Sequence, residues 1–414
     1  MVSAFLFPML VNISYICAMI VAILIMIFVG TIALDWLAYH RFIRYWHSQV
    51  LRYATILFLV LTNSLSLLVV SLSDGLFLFD NTQQFANMAM AASTLYIFSV
   101  LPRIALYVGL FTIKHLATAR AVGIILSVSV LCILFVGICK TRTDLVIKSV
   151  RLKYNNLPAS FDGYRIAFIS DLHIGAMLNT SEFCTKIVDT LNSQHPDMVV
   201  FGGDLVNLRH TELTPRIERM LSRIKAADGV VAVLGNHDMG IYIKDTVALP
   251  RDVNVERLCS SVRKIGWRML RDSTIYVHRG VDSISVTGID FSERLLELRY
   301  KFSFDDGDYD LRPIYADVSD SLFNITVSHL PQLWHEITKT GYGDLTLAGH
   351  VHAAQMKVDL NGLRLSPAML MYREWSGVYD DNGRRLYIND GVGTIGFYMR
   401  IGAKPEITLI ELCN

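Results

Sequence analysis

The chain has 414 residues, of which 52% are hydrophobic and only 18% are charged. Soluble globular proteins carry about 25% charged residues, so the composition excludes an ordinary, fully soluble protein. Residues 1–139 hold six of the 38 basic and three of the 37 acidic side chains. We therefore predict a transmembrane anchor over residues 1–140 and a soluble domain over residues 148–414. The charges of the soluble part are balanced and dispersed, without the basic stripe that grips a nucleic-acid backbone, so we expect no nucleic-acid partner.

The N-terminal part contains four apolar stretches of the length that a membrane-spanning helix needs. Such a helix has about 20 mainly apolar residues. The first stretch has no basic leader and is too long for the apolar core of a cleaved signal peptide. We therefore predict about four transmembrane helices, over residues 1–34, 53–73, 87–110 and 121–139.

Basic residues in short loops mark the cytoplasmic side of a membrane protein. In the predicted loops between spans they all lie in the first and third: Arg41, Arg44, Arg52, Lys114 and Arg120. This pattern places the soluble domain outside the cytoplasm, on an integral, multi-pass protein of a bacterial inner membrane. Five further basic residues between positions 140 and 153 favour the opposite side, so both orientations stay open.

Arg103 lies in the third predicted span, next to Pro102. One interpretation makes it a buried partner for a lipid phosphate or another helix. In the other, the side chain extends along the helix to the membrane interface. We favour the second interpretation.

The soluble part contains five short apolar runs, each followed at once by polar and often glycine-rich residues. Unbroken runs of this length are typical of strands buried on both faces. Amphipathic stretches between some of them, such as residues 181–193, supply covering helices. This alternation predicts an α/β fold with a ligand site beyond the carboxyl ends of the strands.

Eight metal-binding or proton-transferring side chains follow those runs: Asp171, His173, Asp204, Asn236, His237, His329, His350 and His352. Burying so many imidazoles and carboxylates without partners would be costly, and divalent metal ions would remove that cost. Imidazole together with carboxylate suits Mn, Fe or Zn rather than Ca, and the absence of cysteine from the set argues against a structural zinc site.

The ordered motifs ISDLHIG, VVFGGDLVN, LGNHD, SHLP and GHVH resemble those of the calcineurin-like metallophosphoesterases, most closely a bacterial branch of membrane-associated phosphodiesterases. The resemblance extends over about residues 150–412. It implies a four-layer sandwich, in which two mixed β-sheets are flanked by helices, and a centre with two divalent metal ions, with manganese favoured over iron or zinc.

The resemblance also implies a role for each motif residue. The first metal would be bound by Asp171, His173, Asp204 and His352. Asp204 would bridge to the second metal, which is also bound by Asn236, His329 and His350. His237 would be the catalytic histidine, with Asp238 orienting its imidazole, and a metal-activated hydroxide would attack the phosphorus.

Two further features concern the surroundings of this predicted centre. The resemblance makes the glycine-rich loop at residues 391–396 a rim of the active site, with Asn389 and Arg400 as phosphate contacts. Relatives commonly have two glycines after GHxH, whereas this chain has Ala353 and Ala354. We expect the metal site to tolerate the two methyl groups and the adjoining substrate wall to be narrower.

The sequence therefore predicts a membrane-anchored phosphoesterase, in particular a phosphodiesterase. Its partner would be a membrane lipid or a small phosphoester, including a lipid-linked pyrophosphate. The alternative is a non-catalytic membrane sensor or scaffold protein that contains metal. The complete ligand set and the retained His237 favour the enzyme.

Overall fold

The computed structural model describes residues 26, 28–73, 83–113, 115–243, 249–291, 295, 310–360 and 362–414. The chain divides into two compact units. The first ends at Cys139 and also includes Gly396–Met399, and the second comprises Lys140–Ile395 and Arg400–Asn414.

The first unit is helical. A helical segment over residues 28–41 is followed by α1 (Gln49–Ser73), α2 (Gln83–Thr112) and α3 (Leu116–Cys139). Two stretches of the described chain are long and apolar enough to cross a membrane, Ala86–Thr112 and Leu116–Thr143.

These two stretches coincide with the third and fourth predicted spans. The second predicted span falls on α1, whose apolar part within the described residues, Gln49–Leu65, is shorter than a span requires. Most of the first predicted span lies outside the described residues. The prediction of four transmembrane helices is therefore supported for two of them.

The side chain of Arg103 is buried inside the helical unit, with 6% of its surface exposed. Its Nη1 lies 3.2 Å from Asp35 Oδ2 and donates to Thr62 Oγ1 at 2.8 Å. Tyr107 Oη donates to the other Asp35 oxygen at 2.7 Å. The favoured interpretation, an arginine that extends to the interface, is wrong. Because an unpaired charge among apolar helices is costly, Arg103 pairs with a carboxylate from another helical segment.

The second unit contains two six-stranded sheets. The first has the strand order β1 (Val146–Lys153), β14 (Glu406–Cys413), β2 (Tyr164–Ile169), β3 (Met198–Phe201), β4 (Val230–Ala232) and β5 (Arg268–Met269). The second has the order β12 (Gly377–Asp381), β13 (Arg384–Ile388), β9 (Leu345–Ala348), β8 (Asn324–Val327), β7 (Asp282–Gly288) and β6 (Ser273–Arg279). Each sheet mixes parallel and antiparallel pairs. A separate hairpin consists of β10 (Val358–Leu360) and β11 (Leu363–Leu365).

Alternate residues of the central strands enter two different cores. In β2, Ile166 and Phe168 pack between the two sheets, whereas Ala167 and Ile169 face the helices. Because successive side chains of a strand point to opposite faces, a strand buried on both sides must be apolar at every position. This requirement explains the unbroken apolar runs.

Helices cover the outer faces of both sheets. The first sheet is covered by α4 (Thr180–Ser193), α5 (Pro215–Leu221) and α6 (Arg251–Lys264), which share one apolar core with it. Trp334, at the start of α7 (Trp334–Lys339), packs with side chains of β9 and β13 in the second sheet. The predicted α/β fold, with two mixed sheets flanked by helices, is confirmed.

The five predicted strands are β2, β3, β4, β8 and β9. In the first sheet β2, β3 and β4 are parallel neighbours, and in the second β8 and β9 are parallel neighbours. The carboxyl ends of parallel strands lie at one edge of a sheet. The polar loops within each set are therefore neighbours, and the packing of the two sheets on each other brings the two sets together.

Candidate metal centre

Five loops, one after each of these strands, supply the predicted site residues. Their side chains are buried apart from that of His350, which is partly exposed. The backbone turns sharply at these positions, and five of the predicted ligands have left-handed φ angles between 44° and 71°: Asp171, His173, Asp204, His350 and His352. Such a conformation costs a residue with a Cβ about 1–2 kcal/mol. This strain is concentrated where the side chains must converge, as is common at functional sites.

Two motif glycines permit the close approach of the loops. A Cβ on Gly235 would lie 2.2 Å from Asp204 Oδ1. A Cβ on Gly349 would lie 2.4 Å from Asp171 Oδ2. Neither position can carry a side chain unless a predicted ligand is displaced.

One group of potential ligand atoms comes from Asp171, His173 and His352. His352 Nε2 lies 3.2 Å from Asp171 Oδ1 and 3.2 Å from His173 Nε2. The three side chains thus direct their ligand atoms into one small volume.

A second group comes from Asp204, Asn236, His329 and His350. His329 Nε2 lies 3.2 Å from Asp204 Oδ2 and 3.1 Å from Asn236 Oδ1. His350 Nδ1 lies 2.9 Å from the same amide oxygen. The two groups adjoin each other, because His173 Nε2 is 3.6 Å from Asp204 Oδ2.

The spacing and chemistry of these atoms fit bound divalent metals. With metal–ligand bonds of about 2.1 Å, neighbouring ligand atoms are about 3.0–3.4 Å apart. His329 Nδ1 lies 2.8 Å from the Gly202 carbonyl oxygen, which can only accept, so Nδ1 carries the hydrogen. When the ring is neutral, the lone pair of Nε2 therefore points toward two oxygens that are also acceptors, Asp204 Oδ2 and Asn236 Oδ1. A cation bound among these three atoms would stabilise the arrangement.

The carboxylates of the centre are held in their charged form. Burial raises the pKa values of Asp171 and Asp204, but the surrounding histidines outweigh it and keep both pKa values well below their usual range. Conversely, burial lowers the pKa of His329, but nearby Asp204 outweighs it and raises that pKa to about 9. Asp204 therefore stabilises positive charge on its partner His329, whereas burial lowers the pKa values of His173 and His237.

Hydrogen bonds on the far side of the rings orient the histidines, as is usual for metal ligands. His350 Nε2 lies 3.3 Å from Tyr372 Oη. His237 Nδ1 donates to the Asn207 carbonyl at 2.6 Å, so Nε2 is the nitrogen left for chemistry. The His237 ring is buried, with its centroid 4.6 Å from that of His173.

Asp238 has a different role from the one predicted. Its Oδ2 accepts from the backbone N–H groups of Asp204 and Gly235, at 2.8 and 2.9 Å, and its Oδ1 accepts from that of Val206 at 3.0 Å. The expectation that Asp238 orients the His237 imidazole is wrong, because both of its oxygens are engaged by the backbone. Asp238 instead ties two loops of the centre together, and Asn207 orients the histidine.

The predicted phosphate contacts are also wrong. Arg400 is fully buried and donates to the carbonyls of Asp390, Gly393 and Ala403, with Nη2 3.3 Å from His352 Nδ1. Asn389 is equally buried, with its amide donating to Thr408 Oγ1. Both residues are fully buried and hold the loop behind the centre through these hydrogen bonds.

Two tyrosines beside the centre were not predicted. The hydroxyl of Tyr242 accepts from Asn236 Nδ2 at 3.1 Å, and its ring lies 4.5 Å from that of His237. Tyr372 contacts His350, as described above. Neither tyrosine belongs to a motif. Tyr242 lies four residues after LGNHD, whereas Tyr372 lies twenty residues after GHVH and no sequence signal points to it.

The two alanines after GHVH adopt the backbone conformation that glycine would adopt more easily. Ala353 has φ 49° and Ala354 has φ 48°. Both lie in the left-handed region, where a Cβ is strained. The chain therefore keeps the turn expected of glycines while carrying two methyl groups.

Comparisons with known proteins agree with this geometry. The family model described as calcineurin-like phosphoesterase matches residues 164–354. The uncharacterized metallophosphoesterase YkuE of Bacillus subtilis is 28% identical over 271 residues, covering 63% of this chain and 83% of that protein. A transmembrane protein with metallophosphoesterase domain from Danio rerio is 28% identical over 281 residues, covering 67% of this chain and 59% of that protein.

A third relative is the UDP-2,3-diacylglucosamine pyrophosphatase LpxG of Chlamydia trachomatis, 25% identical over 321 residues, covering 64% of this chain and 89% of that protein. The matched family region contains the first four motif loops and the GHVH loop. The matched domain, residues 164–354, accordingly belongs to the calcineurin-like metallophosphoesterase superfamily of metal-dependent phosphoester hydrolases.

Proposed function

We propose that this protein is a membrane-anchored phosphodiesterase with two divalent metal ions, of which manganese is the favoured species. The observation that carries the proposal is that the two groups of ligand atoms adjoin each other. The distance from His173 Nε2 in the first group to Asp204 Oδ2 in the second is only 3.6 Å. One ion alone would leave one of the two groups without a partner.

The ligand assignment follows these groups. Asp171, His173 and His352 would bind the first ion, and Asn236, His329 and His350 the second, with Asp204 between the two. When bound, two such ions activate a water molecule for attack and neutralise charge on the phosphoryl oxygens.

The residues of the chain supply the remaining chemistry. His237 Nε2 would donate a proton to the leaving oxygen, since its Nδ1 is already engaged with Asn207. The fixed ring cannot turn away without losing that hydrogen bond. The His237 side chain is buried, which limits the access of bulk water to the proton donor.

The apolar helices support a substrate in or at a bilayer. We propose that α2 and α3 anchor the enzyme and that the substrate is a lipid-linked phosphoester or pyrophosphate. The relative named as a diacylglucosamine pyrophosphatase and the one named as a transmembrane protein support this proposal. The basic residues of the predicted loops favour an extracytoplasmic catalytic domain.

The first test is metal dependence. Purified full-length protein is stripped with chelator and assayed on bis(p-nitrophenyl) phosphate. We expect no turnover by the stripped protein and recovery with Mn²⁺, at two bound ions per chain by elemental analysis. Full turnover without metal, or saturation at one ion, contradicts the proposed centre. An inactive protein with two bound ions supports the sensor alternative.

The second test is membrane topology, determined by a reporter fused after Asn414. A reporter active only outside the cytoplasm supports the proposed side. A cytoplasmic reporter overturns that part of the proposal and directs the search to cytoplasmic, nucleotide-linked lipids.

A further inference from the structure

The β10–β11 hairpin has one apolar face that is exposed. The cross-strand partners Val358 and Leu365, and Leu360 and Leu363, lie on this face, because residues paired across two strands point to the same side. All four are exposed, and Leu360 is exposed to 65%. The intervening pair, Asp359 and Arg364, lies on the opposite face.

Exposed apolar residues also lie at the end of the short helix that follows the hairpin. Ser366 caps this helix, Pro367–Leu370, by accepting from the Ala368 N–H at 3.0 Å. Leu370 is 85% exposed, and the next residue, Met371, is also exposed. We call this set the hairpin surface: Val358, Leu360, Leu363, Leu365, Leu370 and Met371.

The hairpin surface adjoins the metal centre. Met371 precedes Tyr372, whose hydroxyl lies 3.3 Å from His350 Nε2. Ser366 Oγ donates to the carbonyl of Ala353 at 2.8 Å, one residue after His352. The segment that carries the hairpin surface is therefore held against the loop of the predicted ligands His350 and His352.

The chain itself indicates what covers this surface. The apolar stretch Leu116–Thr143 is long enough to cross a membrane, and β1 begins at Val146. The two residues between them extend about 3.5 Å each, so the linker cannot carry the domain far from a bilayer. Contiguous exposed apolar surface marks interaction sites. Because the domain follows a membrane-spanning stretch so closely in sequence, the bilayer is the apolar environment that this surface can reach.

We propose that the hairpin surface inserts among the acyl chains of the bilayer and presents the phosphoester of a membrane lipid to the metal centre. This inference rests on the proposed membrane-anchored phosphodiesterase. It adds that the enzyme acts on lipids within the bilayer and does not require them to leave it.

Insertion is tested without catalysis. Cys17, Cys132, Cys139 and Cys413 are replaced by alanine, and Leu370→Cys is labelled with the environment-sensitive dye NBD in full-length protein reconstituted into phosphatidylglycerol–phosphatidylethanolamine vesicles. We expect a blue-shifted emission that spin-labelled acyl chains quench. The control is Val281→Cys, at the fully exposed turn between β6 and β7. We expect the dye at this position to emit as it does in water and not to be quenched by the spin-labelled acyl chains.

The substrate class is tested by activity. Leu360→Asp and Leu370→Asp are compared with Val281→Asp on a phospholipid in vesicles and on bis(p-nitrophenyl) phosphate in solution. We expect each hairpin variant to lower the ratio of lipid to soluble turnover at least tenfold, and the control to leave the ratio unchanged.

Different outcomes separate the two proposals. If the unaltered protein hydrolyses neither substrate although the label is quenched by lipid, the proposed function fails and the insertion stands. If the protein is active but the label stays in water, the inference fails. A label shielded from water but not quenched by lipid indicates a second copy or another protein on this surface, and also overturns the inference.

Discussion

Replacing His237 by alanine removes the imidazole that we propose as the proton donor, while leaving every proposed metal ligand in place. The ring is buried, packs against His173 and Tyr242, and donates through Nδ1 to the Asn207 carbonyl at 2.6 Å. The substitution therefore removes a proton donor and also leaves one buried carbonyl without its partner.

These two effects have different sizes and different readouts. An unpaired buried carbonyl costs about 1–3 kcal/mol of folding free energy, so the variant should still fold. A general acid contributes about 10²–10⁴-fold to rate, equal to about 3–5 kcal/mol of activation free energy. That contribution matters only when the leaving oxygen needs a proton.

The assay compares two leaving groups on the same protein. For an alkyl leaving group we expect His237→Ala to lower kcat by about 10²–10⁴-fold. For p-nitrophenolate, which leaves readily as an anion, we expect a loss of about tenfold or less. Elemental analysis should show two bound metals in both proteins. An equal loss for both leaving groups refutes the proton-donor assignment, and the loss of one metal would identify His237 as a ligand.

Four further single variants test the fold around the sites. Asp35→Asn and Arg103→Met each break the buried ion pair, so each should lower the stability of the helical unit by about 3–5 kcal/mol. The double variant should lose less stability than the sum of the two single variants. Thermal unfolding of the detergent-solubilised chain measures these losses. Ala354→Gly should stabilise the protein by about 1 kcal/mol, because it relieves a left-handed Cβ; a lower unfolding midpoint would contradict this. Burial raises the pKa of Asp390, but Lys148 and Lys357 outweigh it and lower that pKa from 3.8 to about 2. Its contribution to stability is therefore complete above pH 3.8 and is lost as the pH falls toward 2. Lys357→Met should move the onset of acid unfolding in chelator to higher pH, and an unchanged onset would contradict the depressed pKa.

The strands and the polar loops after them could be predicted because their pattern is local. An apolar run such as residues 198–201 predicts a strand that is buried on both faces. The polar residues that come directly after the run in sequence then lie at the end of that strand. The order of the five motifs then identified the family. Their convergence in space required that parallel strands share one edge of a sheet and also that the two sheets pack on each other.

The partners of individual side chains could not be predicted from the sequence. Arg103 pairs with Asp35, and Arg400 lies behind His352, because of contacts between distant segments. A local pattern shows that a charged side chain lies in an apolar stretch, but it does not show whether a neighbouring helix places an opposite charge beside it.

The amino-acid order by itself determined the α/β architecture, the metal-binding chemistry and the presence of apolar helices, since these depend on residue type and on spacing along the chain. Only the tertiary structure decided that Asp238 binds backbone amides, that Asn207 orients His237, and that an apolar hairpin lies beside the metal centre. Hydrogen bonds and packing act over a few ångströms in space, and residues that are far apart in sequence become neighbours only when the chain has folded.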